Sequence, residues 1–202
     1  MKQTYRSMTG YVLGWVWVAF VAYNIWDLTA HYNGKASLVA GAVLGVLTAI
    51  VYITALRPAT TVAEDGLRVR NPFRSSFLPW ASVGDVTVSH AISVEHSGDQ
   101  VLRLWTPQAS ARERAKASRR GAPKTQRGKY KTEPTLSKGE QAAAEALSGK
   151  THADWVAEQI NEQAEAARRR KEQPAPAKVS WAIDSLVACA LALALVVAAI
   201  LA

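Results

Sequence analysis

Histidines, cysteines and paired carboxylates are the side chains most often recruited for chemistry, and their placement here argues against catalysis. His31 falls in a short turn between apolar runs, His90 and His96 in strand-like segments, and His152 near a helix start. No H-x-x-H or H-E-x-x-H spacing arises, and Cys189 stands alone within an apolar run, so neither a metal centre nor a disulfide is expected. His90 and His96 could approach across a hairpin, where they read as ordinary surface histidines. There is no G-x-S-x-G elbow and no phosphate-cradling glycine loop. Glu158, Glu162 and Glu165 share one helical side, which is the usual solvated face of an amphipathic helix. The expectation is a noncatalytic protein with no catalytic residue, metal ligand or cofactor.

Charge is the chemistry this sequence does carry. Between Ala109 and Lys131, the side chains of Arg112, Arg114, Lys116, Arg119, Arg120, Lys124, Arg127, Lys129 and Lys131 face a single acid, Glu113. That excess equals the formal net charge of the whole chain, +8. With Gly121, Pro123 and Gly128 and few apolar residues, the stretch cannot bury enough surface to order itself, and a mobile arm is expected. Its nine cations suit anionic lipid headgroups or an acidic protein partner, each basic side chain contributing at most about 1 kcal/mol near an anionic leaflet. Nucleic acid is disfavoured, because Tyr130 is the one aromatic residue there on which a base could stack.

The mean hydropathy of -0.03 averages very apolar runs against a very polar middle. Trp181 to Ala202 would rise about 33 Å as a helix, matching a hydrocarbon core of about 30 Å, and reads as a tail anchor. Two further runs are long enough to cross a bilayer. The expected organisation is an N-terminal segment 1–10, transmembrane helix 11–28, external turn 29–35, transmembrane helix 36–56 and a β module over 59–106. A disordered basic insertion with a short Ala-rich helix then fills 107–150, followed by an amphipathic helix 151–172, a linker 173–179 and a transmembrane helix 180–202. The turn through Asn33-Gly34 makes the first two spans an antiparallel hairpin. The first run is too long and too rich in Trp for a cleaved leader. Residues 57–179 hold 21 of the 24 Lys and Arg, and Lys2 and Arg6 precede the first span. The positive-inside rule therefore makes the module cytoplasmic in a multi-pass protein of the plasma or inner membrane.

Ser37, Gly41, Gly45 and Ala49 recur every four residues and set a small-residue seam along the second span, suited to helix packing against Ala188 and Ala192 or against another protein. Gly10 and Gly14 lie too near the other surface to meet it. Asp184 lies within about one turn of one boundary, and Asp27 within one of the other, so both are expected to snorkel to the interface.

Period-two alternation over Leu67 to Asn71 and over Ile92 to Glu95, broken by turn signals, predicts an antiparallel meander. Its strands are expected at 60–64, 67–71, 74–78, 83–89, 91–96 and 100–105. Asp65-Gly66, Asn71-Pro72 and Ser97-Gly98-Asp99 supply the turns. Thr151 with Asp154 has the spacing of a capping box, and Trp155, Val156, Ile160, Ala153, Ala157, Ala164 and Ala167 form an apolar face behind it. Gly66-Leu67-Arg68-Val69-Arg70-Asn71, Phe73-Arg74 and Leu78-Pro79-Trp80-Ala81-Ser82-Val83 with Val86 resemble bacterial pleckstrin-homology-like (PH-like) domains, particularly the actinobacterial low molecular weight protein antigen 6 type. The resemblance implies a small bent sheet closed by a C-terminal helix, often attached to membrane spans. Relatives that grip phosphoinositides carry cations at the first hairpin turn, where this chain has Glu64-Asp65-Gly66, so that lipid site is not carried over.

The fold class expected is an α+β membrane protein with a transmembrane hairpin, a PH-like antiparallel β module with an amphipathic helix, and a C-terminal transmembrane helix. The function expected is a module that binds or positions a protein partner or anionic lipid at the cytoplasmic face. The alternative is an accessory structural subunit of a larger membrane complex.

Overall fold

The computed structural model describes residues 2–98, 100–120 and 150–202. Helix α1 (Met8–Ala30) starts where the Ser7 hydroxyl accepts the Gly10 amide, three residues before the expected span. Gly34, at φ 55°, takes the left-handed conformation that turns the chain back. The Asn33 amide then donates to the Ser37 hydroxyl as α2 (Gly34–Val51) begins. That helix runs on through a π-helical turn, Tyr52–Leu56. Together with Ile183–Leu201 near the C-terminus, these are three helices long and apolar enough to cross a membrane, the composition of a multi-pass membrane protein. Trp17 ties the hairpin by donating from its indole to the Thr48 hydroxyl at 3.2 Å.

The β module holds two antiparallel sheets. The first orders its strands β1 (Gln3–Tyr5), β2 (Ala59–Val62), β3 (Leu67–Arg70), β4 (Arg74–Leu78) and β8 (Lys178–Trp181). The second contains β5 (Val83–Val88), β6 (Ala91–His96) and β7 (Gln100–Gln108). The six strands of the expected meander are present with shifted ends, but β1 and β8 correct the sequence reading. They stand where the N-terminal segment 1–10 and the boundary of linker and third span are expected: Lys178 and Val179 close the linker 173–179, while Ser180 and Trp181 fall in the expected span 180–202, whose helix starts only at Ile183. Three or four residues show too short an alternation to register, and each forms only because β2 and β4 present open ladder edges to it. Gly66, at φ 155°, closes the β2–β3 turn, and a Cβ there would strike the Leu78 carbonyl oxygen. Ser97 and Gly98, at φ 49° and 86°, turn β6 into β7.

Leu67, Val69, Leu78, Trp80, Val83, Ile92, Val94 and Leu104 are fully enclosed between the sheets. Helix α4 (His152–Arg169) closes them with Ala153, Val156, Ala157, Ile160, Ala164 and Ala167. (Helix α3 lies earlier and is Ala111–Arg120.) Thr151 and Asp154 form the capping box their spacing predicts. Trp155 departs from expectation: it is 45% exposed with the Lys150 ammonium 5.0 Å above its ring, because the three positions at 153, 156 and 157 already fill the sheet-facing arc.

Helix α3 corrects the expectation that the whole basic stretch is mobile. Ser110 accepts the Glu113 amide and Glu113 accepts the Ser110 amide, so a reciprocal cap starts the helix despite its charge. The rest of the proposed insertion, including the Ala-rich helix, lies outside the described residues.

Candidate membrane-facing site

Each span enters the first sheet through a very short join: Arg6 and Ser7 between β1 and α1, Arg57 and Pro58 ahead of β2, and Ala182 between β8 and helix α5 (Ile183–Leu201). The register places Tyr5 beside Thr60, Ala59 beside Arg70 and Arg74 beside Trp181. One edge of the module is therefore its membrane edge, and the acidic Glu64-Asp65 turn lies at the opposite end of β2 and β3.

Arg57 organises this edge. Its side chain is only 5% exposed, and it donates to Asp184 Oδ2 at 2.7 Å, to the Ser75 hydroxyl at 2.9 Å and to the Asn71 carbonyl. Tyr52 donates to the same Asp184 oxygen at 2.9 Å. Asp184 thus does more than the snorkelling expected of it: a charge that is costly near lipid finds an opposite charge one helix away, while 46% of its side chain is left uncovered by protein. The start of α5 is further pinned to the sheet by Ala182 N–H to the Phe73 carbonyl, 2.9 Å, and the Ser185 hydroxyl to the Pro72 carbonyl, 2.5 Å. The Asn71 side chain bridges to β7, donating to the Arg103 carbonyl and accepting the Trp105 amide, while the Trp105 indole donates to the Thr54 carbonyl.

Around this node lies a ring of cations and indoles. Arg6 stacks over Tyr11 at 5.2 Å, and Arg74 over Trp181 at 5.3 Å. Trp181 is 63% exposed, Trp105 is half-exposed, and Arg70 is exposed with no ion pair among the described residues. Arg with Trp at the rim of a span is the chemistry of a headgroup layer, since guanidinium binds phosphate in a two-pronged fashion and indoles favour the interface.

Of the basic residues singled out from sequence, Arg112, Arg114, Lys116, Arg119 and Arg120 lie on α3, and Lys124, Arg127, Lys129 and Lys131 lie outside the described residues. Arg112, Arg114 and Lys116 are exposed, and Arg114 donates to the Ser89 carbonyl. Ala111 follows Trp105 by six residues, so α3 begins within about 20 Å of an indole bonded to the second span. Sequence reasoning missed Arg57, Asn71, Trp105 and Trp181 as members of this edge. Opposite charges at the module-side ends of two different spans, Arg57 and Asp184, were the available signal.

Within the spans, α1 and α5 flank α2 and leave a cleft of about 730 Å³. Ser37, Gly41, Gly45 and Ala49 line it. A Cβ at Gly45 would meet Leu195 Cδ1 at 2.5 Å, whereas at Gly41 nothing lies within 4 Å. Gly14 serves a different contact, where a Cβ would meet Leu56.

The histidines stay apart. His90 precedes β6 and His96 ends it, and His96 is buried, contrary to the surface placement expected, because its side chain turns inward at the end of an alternating strand. Among the described residues no three His, Cys, Asp or Glu gather as a metal site. The hydrogen bond from Arg68 to Asp65, 2.5 Å, holds the Asp65 carboxyl below its ordinary range.

Residues 57–124, a third of the chain, match the family described as bacterial PH domain. The match runs through β2 to β7 and α3 and makes the module a bacterial PH-like domain; β1, α4 and β8 lie outside it. No curated protein and no solved structure matches.

Proposed function

We propose that this PH-like module is a noncatalytic device that gathers anionic lipid at the cytoplasmic face of the inner membrane, through Arg6, Arg70, Arg74, Trp105 and Trp181 at its edge and through Arg112, Arg114 and Lys116 on α3. The observation that carries the reading is the shortness of the three joins. One or two residues leave no swivel, so charge is not needed to hold the module down or to orient it. What remains for exposed cations beside a headgroup layer is to enrich the lipids they favour. Lys2, Arg6, Arg57, Arg70, Arg74 and Lys178 on the module side, against Lys35 at the α1–α2 turn, support the cytoplasmic side. The narrower kinship with the low molecular weight protein antigen 6 type rests on the 66–86 stretch.

The test is the lipid that copurifies. In nanodiscs of mixed zwitterionic and anionic lipid, native mass spectrometry of the annulus should show anionic enrichment that falls with salt. It should fall further, by up to about fivefold per charge, on Arg70→Gln, Arg74→Gln or Lys116→Gln. An annulus of bulk composition, unchanged by the three substitutions together, would refute it.

The accessory-subunit reading has one observation in its favour, the open space at Gly41 in a cleft as deep as the spans. Gentle extraction and native electrophoresis separate the two readings, because a subunit migrates with its complex and Gly41→Leu should then release it.

A further inference from the structure

A second candidate site lies away from the membrane edge. The start of β5, Ser97 and Gly98 after β6, the last turn of α4 and Pro174 to Pro176 surround a pocket of about 400 Å³, within the usual range of small-molecule sites, roughly 300–1,000 Å³. Its distinguishing group is His96, 6% exposed, whose Nδ1 is enclosed by protein and makes no hydrogen bond. Nε2 is not among the enclosed atoms and has no hydrogen-bond partner among the described residues, and the residue lines the pocket. Buried polar groups are nearly always satisfied, and an orphaned N–H is rarer than an orphaned acceptor. The tautomer that avoids an orphaned N–H keeps the lone pair on Nδ1 and leaves Nε2–H as the donor open to a ligand.

Arg168 supplies the second donor. Its Nη2 donates to the Val83 carbonyl at 2.8 Å, Val83 is the ladder partner of His96, and Arg168 and His96 line the same pocket. Among the described residues Arg168 has no carboxylate partner, whereas Arg169 and Arg170 pair with Glu165 and Glu172. Its remaining N–H groups and His96 are candidate donors to one ligand, and among the described residues lining the pocket the exposed Glu95 is the opposing charge. Pro176 precedes β8, whose four residues put about 13 Å between the pocket and the join to α5. A headgroup phosphate is therefore the less accessible source.

We propose that this pocket binds the carboxylate or phosphate end of a small soluble molecule, held by His96 and Arg168. The proposal is independent of the lipid reading and survives its failure. The test uses the full chain, labelled at histidine, in zwitterionic nanodiscs, with the His96 ring signals followed during titration with inorganic phosphate and, separately, acetate, against sodium chloride at matched ionic strength. The expected result is a saturable shift of His96, with His90 and His152 unmoved, at a Kd below about 1 mM for at least one of the anions. Arg168→Gln should weaken it at least tenfold, and Arg168→Lys less. A drift no different from that in sodium chloride overturns the proposal whether or not the variants fold. So does a saturable shift that Arg168→Gln leaves intact. A His96 shift that needs only anionic lipid in the disc, with no added anion, overturns the soluble source.

Discussion

Neutralising Asp184 is the sharpest perturbation of the membrane edge. Stripping one partner from a fully buried ion pair costs about 3–5 kcal/mol, and from an exposed pair at most about 1 kcal/mol. This pair is asymmetric: the Arg57 side chain is 5% exposed and that of Asp184 46%. The carboxylate is therefore only half covered by protein, while the guanidinium left behind stays enclosed with two neutral acceptors, Asn71 and Ser75. An intermediate loss of about 2 kcal/mol is expected for Asp184→Asn. Arg57→Met should cost more, about 3 kcal/mol, because it also strands the Asn71 and Ser75 acceptors and the Tyr52–Asp184 pair. The assay is denaturant unfolding of the full protein in nanodiscs, followed by the fluorescence of the module's enclosed Trp80, for the two single variants and the double. Coupling of about 1–2 kcal/mol between the positions is the expected result. Additivity within about 0.3 kcal/mol would mean that the contact carries no energy and that α5 is held to the sheet by its backbone bonds alone.

Gly45→Leu should destabilise the α2–α5 contact by about 1–3 kcal/mol, since its side chain must displace Leu195, while Gly41→Ala should be silent within about 0.5 kcal/mol; thermal unfolding in detergent reads both. Ser110→Ala removes the cap of α3 and should cost that helix about 1 kcal/mol, seen as faster amide exchange over 111–117 with the sheet unaffected. The Asp65 carboxyl is held low by Arg68, so its small stabilising contribution is present above its unfolded value of about 3.9 and is lost as pH falls through the lower folded value. Arg68→Gln should raise the Asp65 midpoint in a carboxyl NMR titration; no change would assign the shift elsewhere.

Long, repetitive patterns were legible and short ones were not. The spans announce themselves because some twenty apolar residues in a row have no other stable use, and α4 because a capping box and an alanine face coincide. Lys178–Trp181 carries no such signal: all four residues are exposed, and the strand exists only through its ladder with β4. Helix α3 was hidden by its own composition, since five cations in ten residues argue for disorder more loudly than a single Ser110–Glu113 cap argues for order. The edge site was opaque for a related reason. Arg57, Asn71, Trp105 and Asp184 lie far apart in sequence and make sense only after β2, β7 and α5 have converged.

The same convergence limits what charge can accomplish here. In a peripheral module, removing cations releases the protein, so affinity and orientation change together. Here β1, β2 and β8 pass into helices over one or two residues, and Arg57 locks two of those helices to one sheet. Orientation is then a property of packing and hydrogen bonding, which salt screens weakly, whereas the surroundings of Arg70, Arg74 and α3 are electrostatic and screened over about 8 Å at physiological ionic strength. Raising salt should therefore alter the lipid annulus while leaving the depth of a spin label on the membrane edge unchanged. A label that moved outward with salt would show that the joins flex and that the cations hold the module down after all.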